Sequence, residues 1–433
     1  MHSATHQAIS AVWRIESAKI VAAVARMVRD IGVAEELAQD ALVSALEHWP
    51  VAGVPDKPGA WLMAAAKNKA LDRIRRDKVL GDKLEQIGHD LEAQEALVVP
   101  DFVEGLDDAA AMREIGDDLL RLVFTACHPV LSTESRVALT LKLLGGLTTH
   151  EIARAFLVPE PTIAQRIVRA KRSLRQARVP FEVPRGDALA QRLASVLEVV
   201  YLVFNEGYTA TTGGDWMRPA LTQEALRLGR MLAELAPQEP EALGLIALME
   251  LQASRAPARV DAQGRPVLLM DQDRARWDHL LIRRGLAALA RAESLAQQQG
   301  GACGSYALQA AIAACHARAR VAGETDWARI AALYDALSQA MPGPVVELNR
   351  AVAVGMAFGP AQGLELVDAL GQDKTLENYQ WLPSVRGDLL ARLGRRDEAR
   401  AEFERAASMA HNARERELLL GRVRDMGNMG DTQ

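Results

Sequence analysis

Residues 148–178 constrain the fold most strongly, because their apolar and polar positions fit two helices joined by a tight turn. At about 100° per residue, the second helix places its apolar side chains on one stripe and polar side chains nearly opposite. The stripe consists of Ile163, Ile167, Ala170 and Leu174, and the opposite face of Gln165, Arg169, Arg172 and Gln176. This spacing predicts a helix-turn-helix whose second helix packs by one face and offers the other to a partner.

The charge of the second helix indicates the kind of partner. From Pro161 to Arg178 there are six basic residues and no acidic one, and such a surface attracts nucleic-acid phosphates. Thr148 followed by Glu151 forms a capping box, and Pro161 suits the first turn of the second helix. The segment therefore predicts a DNA-binding helix that enters the major groove. A solvated basic helix without a partner is the alternative.

The composition predicts an all-α protein. Aromatic residues make up only 4% of the 433 residues, and alternating β-branched runs are almost absent, whereas the abundant alanine and leucine favour helices. A chain of this length should form two to four domains. Charges interrupt every apolar stretch that approaches spanning length, so we expect no membrane span and a cytoplasmic protein.

Charge is unevenly distributed along the chain. The net charge of the chain is −5. The window Pro161–Arg178 carries +6, and residues 67–78, with six basic and two acidic residues, carry +4, so the remainder of the chain carries −15. Contact with nucleic acid should therefore be confined to these two windows. The cysteines Cys127, Cys303 and Cys315 are too widely spaced to predict a disulfide framework. His128 follows Cys127 without further candidate ligands nearby, so we expect no metal site.

Residues 57–78, KPGAWLMAAAKNKALDRIRRDK, predict a second basic helix. A tryptophan and an amide upstream of dense cations suit unstacked bases and a phosphate backbone. The residues concerned are Trp61, Asn68, Lys69, Arg73, Arg75 and Arg76. The helix before it is acidic and carries Glu35, Glu36, Gln39 and Asp40. A tryptophan at a helix start can also be a core anchor, and an acidic face can be simply solvated, so both alternatives stay open here.

Taken in order, the three segments resemble a bacterial RNA polymerase sigma factor of the extracytoplasmic-function type. The acidic helix resembles the region that docks on the polymerase clamp, and residues 57–78 resemble the helix that captures and melts the downstream promoter element. Residues 148–178 resemble the domain that reads the upstream element. The resemblance implies two small helical modules, at residues 8–80 and 113–183, with an acidic linker at residues 81–112 between them.

The resemblance also implies roles for single residues. Asn68 would hold a flipped-out base of the non-template strand, and Trp61 would belong to the same downstream-element site. The backbone of that strand would be held by Lys69, Arg73, Arg75 and Arg76. In the upstream element, bases would be contacted by Gln165 and Arg169, and phosphates mostly by Arg166, Lys171 and Arg172. Core RNA polymerase would be faced by Glu35, Glu36, Gln39 and Asp40. The loop at residues 50–58 departs from the family in length and composition.

Beyond residue 187 the pattern predicts a helical extension, at residues 187–290, followed by repeats at residues 300–424. Small and apolar residues there occur at the offsets used by tetratricopeptide repeats. The stronger match is Gly387, Leu390, Gly394, Ala399, Phe403 and Ala406, and the weaker is Ala351, Val354, Gly363, Val367 and Leu370. A generic alanine-rich bundle is the alternative. The arrangement resembles a sigma-factor subgroup with such an extension, which implies regulation through it by a protein or ligand.

Two further patches are polar, at residues 199–216 and 270–280. They could line a ligand pocket or, around Asp271 and Asp273, a catalytic site, since paired carboxylates can act as acid and base. Interdomain salt bridges and helix caps are the favoured interpretation. No nucleophile elbow or phosphate loop is evident, so we expect neither enzymatic activity nor a cofactor. The sequence thus predicts an alternative sigma factor that binds core RNA polymerase and promoter DNA. The rival is a ligand- or partner-responsive helix-turn-helix regulator with a repeat domain, which leaves the first 80 residues without a role.

Overall fold

The protein is described here by a computed structural model that covers residues 2–85 and 108–428, apart from residues 157, 210–216, 264, 373–375, 378 and 411–412. Across these residues the regular structure is helical, with one isolated β-bridge between Val260 and Pro266. This confirms the all-α prediction. The chain divides into two compact units, Met1–Val199 and Val200–Gln433.

The first unit begins with three helices that pack together. They are α1 (His2–Val28), α2 (Ile31–Ala52) and α3 (Pro58–Glu85). Asp30 caps α2 by accepting a hydrogen bond from the Val33 N–H at 3.1 Å. The core side of α2 is formed by small residues with no exposed surface, namely Ala34, Ala38, Ala41 and Ala45. Because alanine has a short side chain and a high helix propensity, this stripe lets neighbouring helices approach closely.

The next helices of this unit are α4 (Asp108–Ala126), α5 (Thr133–Leu143), α6 (Thr149–Phe156), α7 (Glu160–Gln176) and the first part of α8 (Asp187–Tyr208). The predicted linker, residues 81–112, lies largely outside the described residues; α3 continues into its start and α4 begins within its end.

Helices α6 and α7 form the predicted helix-turn-helix and pack with α5. The capping box is present, since the Glu151 N–H donates to Thr148 Oγ1 at 3.1 Å and Glu151 Oε2 accepts from the Thr148 N–H at 2.8 Å. Pro161 lies in the first turn of α7. The apolar stripe predicted for this helix is buried throughout, at Ile163, Ile167, Ala170 and Leu174. Local periodicity alone therefore specified this motif.

The second unit contains the rest of α8 and ten further α-helices among its described residues. They are α9 (Pro219–Leu235), α10 (Pro240–Ala253), α11 (His279–Gln298), α12 (Ser305–Arg318), α13 (Trp327–Ala340), α14 (Pro344–Ala357), α15 (Pro360–Leu370), α16 (Trp381–Arg392), α17 (Arg396–Met409) and α18 (Ala413–Asn428). Short 3-10 helices lie between α10 and α11, at Ala256–Ala258, Leu269–Asp271 and Arg274–Arg276, and another, Ala322–Glu324, precedes α13.

Glycines allow close helix contacts in the last third of the chain. A Cβ atom on Gly387 would lie 2.9 Å from Cε1 of Phe403, and a Cβ atom on Gly363 would lie 2.8 Å from Cα of Gly355. Gly394, with φ of +77°, makes the turn between α16 and α17. These helices therefore pack in sequential pairs, α14 with α15 and α16 with α17.

Residues 188–208 of α8 are long and apolar enough to cross a membrane by length and composition alone, a property that the sequence analysis did not anticipate. The core helix of a folded domain has the same pattern. Seven of its apolar side chains are buried, namely Leu193, Val196, Leu197, Val199, Val200, Val203 and Phe204. Helix α8 is accordingly a core helix.

Candidate nucleic-acid interface

Helix α7 exposes the polar face that the sequence assigned to base contacts. Gln165, Arg169 and Arg172 are exposed, opposite the buried stripe. Val168, between them, is 64% exposed. Because the helix is held by its apolar side, these longer polar side chains can project toward a groove without disturbing the packing.

The other two residues of α7 predicted to contact phosphates, Arg166 and Lys171, are less exposed to solvent. Arg166 is half-buried. Lys171 has only 22% of its side chain exposed and forms an ion pair with Glu35 of α2. A predicted phosphate contact is therefore occupied by a carboxylate of the other helical module.

A second ion pair joins the same two helices, and the sequence analysis did not anticipate it. Arg175 Nε lies 2.6 Å from Asp30 Oδ2. Partial burial alone would raise the pKa of Asp30, but the hydrogen bonds from Arg175 and the Val33 N–H outweigh it and lower that pKa. The same bond raises the pKa of Arg175. Asp30 therefore both caps α2 and binds α7.

The residues of the acidic face predicted on α2 differ in their burial. Glu35 is buried, with 6% of its surface exposed, and accepts a hydrogen bond from Gln39 Nε2 at 2.9 Å. Lys142 Nζ lies 3.9 Å from Oε1 of Glu35. Glu36, Gln39 and Asp40 lie at the surface. Glu35 thus faces the helix-turn-helix, and the remaining residues are open to another partner.

Helix α3 carries the second set of predicted contacts. Asn68 and Lys69 are half-buried near its middle, and Arg73, Arg75 and Arg76 are exposed toward its end. Arg73 Nε lies 3.0 Å from Asp77 Oδ2, and Arg75 lies 3.8 Å from Asp72. Exposed pairs of this kind contribute about 0–1 kcal/mol, so a phosphate backbone can replace the carboxylates at little cost.

Trp61, at the start of α3, is half-buried. Its ring meets Trp49 edge-to-face, with centroids 5.5 Å apart. Trp49 itself is only 2% exposed. Since α2 continues through Pro50 to Ala52, Trp49 lies inside the helix, and its ring packs against that of Trp61. Trp61 is therefore partly a core anchor, with surface left for a base.

Helix α8 is tied to α5 and to the end of α4, through polar residues that the sequence did not single out. Arg136 of α5 donates to Glu198 at 2.9 Å. Ser195 Oγ donates to the Cys127 carbonyl oxygen at 2.6 Å, and Arg192 donates to the Phe124 carbonyl oxygen at 2.6 Å. The only sequence signal was the presence of polar residues within an apolar helix. These bonds fix the start of the extension to α4 and α5.

Cys127 and His128, considered above as a possible metal-binding pair, have surroundings that shift the pKa values of both side chains. Cys127 Sγ lies 3.3 Å from Thr140 Oγ1, and burial raises the pKa of its thiol to about 11. Burial also lowers the pKa of His128 to about 4. The described residues contain no group of three or more His, Cys, Asp or Glu side chains arranged to hold a metal ion.

Polar side chains of the patch at residues 270–280 form hydrogen bonds with backbone groups. Asp273 accepts from the Ala275 N–H at 3.0 Å, and Asp278 caps α11 by accepting from the Leu280 N–H at 2.9 Å. Arg274 donates to the carbonyl oxygen of His316 at 2.7 Å. The expectation of helix caps is confirmed here. Of the other patch, residues 199–216, the part from residue 210 lies outside the described residues.

Comparison with known families divides the chain in the same order. Residues 15–79 match sigma-70 region 2, and residues 121–174 match sigma-70 region 4. Residues 192–293 match a family of unknown function, DUF6596. The first two matches cover most of the basic helices α3 and α7. The third begins within α8.

Individual relatives fall into two groups. Uncharacterized protein R00370 of Rhizobium meliloti is 43% identical over 394 residues, which is 91% of this chain and 90% of the relative. The ECF RNA polymerase sigma factor SigK of Mycobacterium ulcerans is 31% identical over 161 residues, covering 36% of this chain and 78% of SigK. The probable ECF RNA polymerase sigma factor SigI of Mycobacterium tuberculosis is 31% identical over 41% of this chain and 58% of SigI.

Proposed function

The chain belongs to the ECF RNA polymerase sigma factors, and we propose that it brings core RNA polymerase to a specific class of promoters and is controlled through its helical extension. The observation that carries the promoter-reading part is the exposed face of α7, where Gln165, Arg169 and Arg172 project from a buried stripe within the region 4 match. The mechanism is non-covalent, since recognition and strand capture require only binding.

We assign residues 8–80 to the module that binds polymerase and melts DNA, and residues 113–183 to the module that reads the upstream element. Base contacts are assigned to Gln165 and Arg169, and phosphate contacts to Arg166, Lys171 and Arg172. The strand-capturing set is Trp61, Asn68, Lys69, Arg73, Arg75 and Arg76. Its support is the half-buried position of Asn68 beside a run of exposed arginines.

The polymerase-binding surface is assigned to the outer face of α2. Glu36, Gln39 and Asp40 are exposed there, and Val43, one turn further on, is 49% exposed. An apolar residue flanked by carboxylates suits a protein partner with a complementary charged rim. Because the proposed partners are polymerase and chromosomal DNA, we place the protein in the cytoplasm.

Reconstituted transcription tests this function. Purified core polymerase with the full chain should yield transcripts from a subset of templates in a library of randomised upstream sequences, and core polymerase alone should not. Absence of any stimulated template would overturn the proposal. Copurification with polymerase separates it from a regulator that binds duplex DNA unaided.

Regulation by the extension rests on the bonds from α8 to the end of α4 and to α5, and α5 packs against α6 and α7. Ser195 and Arg192 bind backbone carbonyl groups of the segment that supports α5, so a change in α8 can reach the DNA-reading helices. We assign residues 187–290 to the helical connection and residues 300–424 to tetratricopeptide-like repeats, which would take a regulatory protein or ligand. The support for the repeats is the close pairing at Gly387 and Gly363.

A single substitution tests this coupling in the full chain. Ser195→Ala removes the bond to the Cys127 carbonyl group and should change promoter-dependent transcription, upward if the extension inhibits and downward if it activates. Ser338→Ala, which removes a similar side-chain bond to the Asp335 carbonyl group in α13, is the control. Equal activity of both variants and the wild type would contradict regulation through α8.

A further inference from the structure

Three helices of the second unit end at the side chains of three arginines. Arg259 donates to the carbonyl oxygen of Tyr208, the last residue of α8. Arg274 donates to the carbonyl oxygen of His316, in the last turn of α12, at 2.7 Å. Arg255 follows the last turn of α10. A helix C-terminus attracts a cation, so Arg259 and Arg274 have a structural role. We call the three arginines the arginine cluster.

Arg255 differs from the other two arginines because its guanidinium has no acceptor. Its Nε atom is buried without a hydrogen-bond partner, and the side chain forms neither a hydrogen bond nor an ion pair with the residues that the structure describes. The ring of Tyr208 lies to one side, with its centroid 5.8 Å from Cζ of Arg255. A guanidinium has five N–H donors and keeps its charge. Arg255 therefore carries donors and a full positive charge that the described protein groups do not use.

The positive charges of the cluster act on one another. Burial lowers the pKa of Arg274, and the charge of Arg255 lowers it further. Burial also lowers the pKa of Arg259, where Tyr208 opposes this effect and Arg255 adds to it. His316 lies in the same field, and its Nδ1 atom is buried without a partner. Cationic groups therefore repel one another around Arg255, and a bound anion would relieve this repulsion.

The carboxylates of the neighbouring segments are bound elsewhere. Within the described residues, neither Arg255 nor Arg274 forms an ion pair with a carboxylate. The charge of Glu324 does reach Arg274 and raises its pKa, but Glu324 is exposed to solvent, which screens it. The carboxylates that accept hydrogen bonds from backbone N–H groups instead are Asp261, Asp273, Asp278 and Glu324.

The balance of charge at the cluster indicates which anion fits. Each helix C-terminus carries about half a negative charge, so three arginines at three helix ends leave about +1.5. A carboxylate carries a single negative charge, whereas a phosphate group carries about −1.5 to −2 at pH 7. Arginine also binds phosphate through two parallel N–H groups. The phosphate group is therefore the better match for the cluster.

We propose that the arginine cluster binds a small phosphate-bearing molecule and that Arg255 is the residue that meets the phosphate. Arg255 is half-buried, so a solute can reach it, and Arg259 and Arg274 position the site through their bonds to α8 and α12. The cluster lies within the match to DUF6596, residues 192–293. Binding itself requires neither polymerase nor DNA. That this molecule is the regulatory ligand of the extension rests on the proposed function.

Calorimetric titration of the full chain with inorganic phosphate tests the site. At constant ionic strength the wild type should bind phosphate, and Arg255→Gln should weaken this binding about tenfold or more, because charge-assisted hydrogen bonds are lost. Arg255→Lys keeps the charge but loses the paired donors, so it should weaken binding by less. Arg283→Gln removes the same charge at an exposed position of α11 and should bind as the wild type does. Acetate should bind the wild type more weakly than phosphate.

Urea unfolding of the same proteins separates a binding role of Arg255 from a structural one. In chloride, Arg255→Gln should unfold at the same or a higher urea concentration than the wild type, because the substitution removes a repelled charge. Phosphate should raise the midpoint of the wild type and of Arg283→Gln, since a ligand stabilises the folded state that binds it. The midpoint of Arg255→Gln should change less.

Several outcomes would overturn the site. Failure of the wild type to bind millimolar phosphate, or equal affinity of the wild type and Arg255→Gln, would show that Arg255 does not meet a phosphate. Acetate binding as tight as that of phosphate would overturn the phosphate class. An Arg255→Gln protein that unfolds at lower urea in chloride and gains as much from phosphate as the wild type would assign Arg255 to the end of α10. A chain that binds phosphate but never stimulates polymerase would keep the site and lose the proposed function.

Discussion

Lys171 of α7 forms an ion pair with Glu35 of α2, so the basic helix and the acidic helix each neutralise one charge of the other. The family resemblance assigned both residues to external partners, Lys171 to phosphate and Glu35 to polymerase. A surface that binds DNA is cationic and one that binds a basic patch is anionic, and two such surfaces on one chain also attract each other. The contact therefore links the state of the free protein to both of its proposed partners.

Glu35→Gln should release Lys171. We expect tighter binding of the free chain to duplex DNA at low salt and a salt dependence steeper by about one ion, because one more lysine meets a phosphate. Titration of a fluorescent duplex at several salt concentrations measures both quantities. Glu47→Gln, the same change at an exposed position of α2, is the matched control. A slope equal to that of the wild type would contradict release of Lys171.

Arg169→Ala should weaken recognition of the cognate promoter. A base contact by arginine contributes about 1–3 kcal/mol of discrimination, so transcription at subsaturating holoenzyme should fall by about tenfold or more. The expected loss depends on the upstream sequence, which competition between promoter variants would show. Arg178→Ala, beyond the end of α7, is the control. A loss that is equal on all sequences would assign Arg169 to phosphate instead of to a base.

Asn68→Ala should impair promoter opening without impairing binding of the holoenzyme to duplex promoter DNA. Recruitment of the holoenzyme to duplex promoter depends on α7 and should persist, whereas capture of the unstacked base is lost, so fewer open complexes form. Permanganate reactivity of unpaired thymines measures opening, and a mobility shift measures recruitment. Ala64→Ser, an exposed position one turn earlier in α3, is the control. Unchanged permanganate reactivity would remove Asn68 from strand capture.

Gly387→Ala should destabilise the second unit. The added Cβ atom would lie 2.9 Å from the ring of Phe403, which is 1% exposed and cannot move freely, and overpacking of this kind costs about 1–3 kcal/mol. Gly421→Ala meets only the end of Arg424, at 3.9 Å, and should be neutral or stabilising by up to about 1 kcal/mol. Urea unfolding of the two variants measures both. A neutral Gly387→Ala would show that α16 and α17 can separate without loss.

His316 should make the stability of the second unit depend on pH. Burial, with Arg255 and Arg274 nearby, lowers its pKa from 6.5 to about 4. As pH falls below 6.5, the unfolded chain takes up a proton at this position that the folded chain refuses, so the free energy of unfolding decreases until about pH 4. This contribution is at most about 3 kcal/mol.

His316→Gln should flatten that part of the pH profile, as followed by tryptophan fluorescence during urea unfolding between pH 7 and pH 4. The ring of His316 meets Trp327 at 5.2 Å, so the local signal is sensitive to this region. His279→Gln, the same change at an exposed histidine, is the control. A profile as steep as that of the wild type would assign the acid lability to other groups.

Prediction from sequence succeeded where the physical cause is local. The stripe from Ile163 to Leu174 and the capping box of Thr148 depend on residues three or four positions apart, and helix geometry fixes their relation. The same holds for Gly387 and Phe403, whose spacing indicated a close helix pair. The loop expected at residues 50–58 was less well predicted, because α2 continues through Pro50 to Ala52 with Trp49 buried in its last turn.

Contacts between distant segments were not predictable in this way. Ser195 and Arg192 satisfy carbonyl groups at the end of α4, and nothing in the sequence of α8 identifies those acceptors. The side chain of Glu35 shows the same limit. Its charge indicated a cationic partner, but not that Lys171 of the same chain would occupy that place.

The amino-acid sequence by itself determined the helices, the buried and exposed faces of α7, and the family, because each depends on periodicity or on the order of local motifs. Only the tertiary structure decided which charges remain available. Asp30, Glu35, Glu36 and Asp40 all lie in or next to the first half of α2, yet the first two are bound to α7 and the last two are exposed. The reason is that a charge attracts any opposite charge within reach, and the fold alone determines which one is nearest.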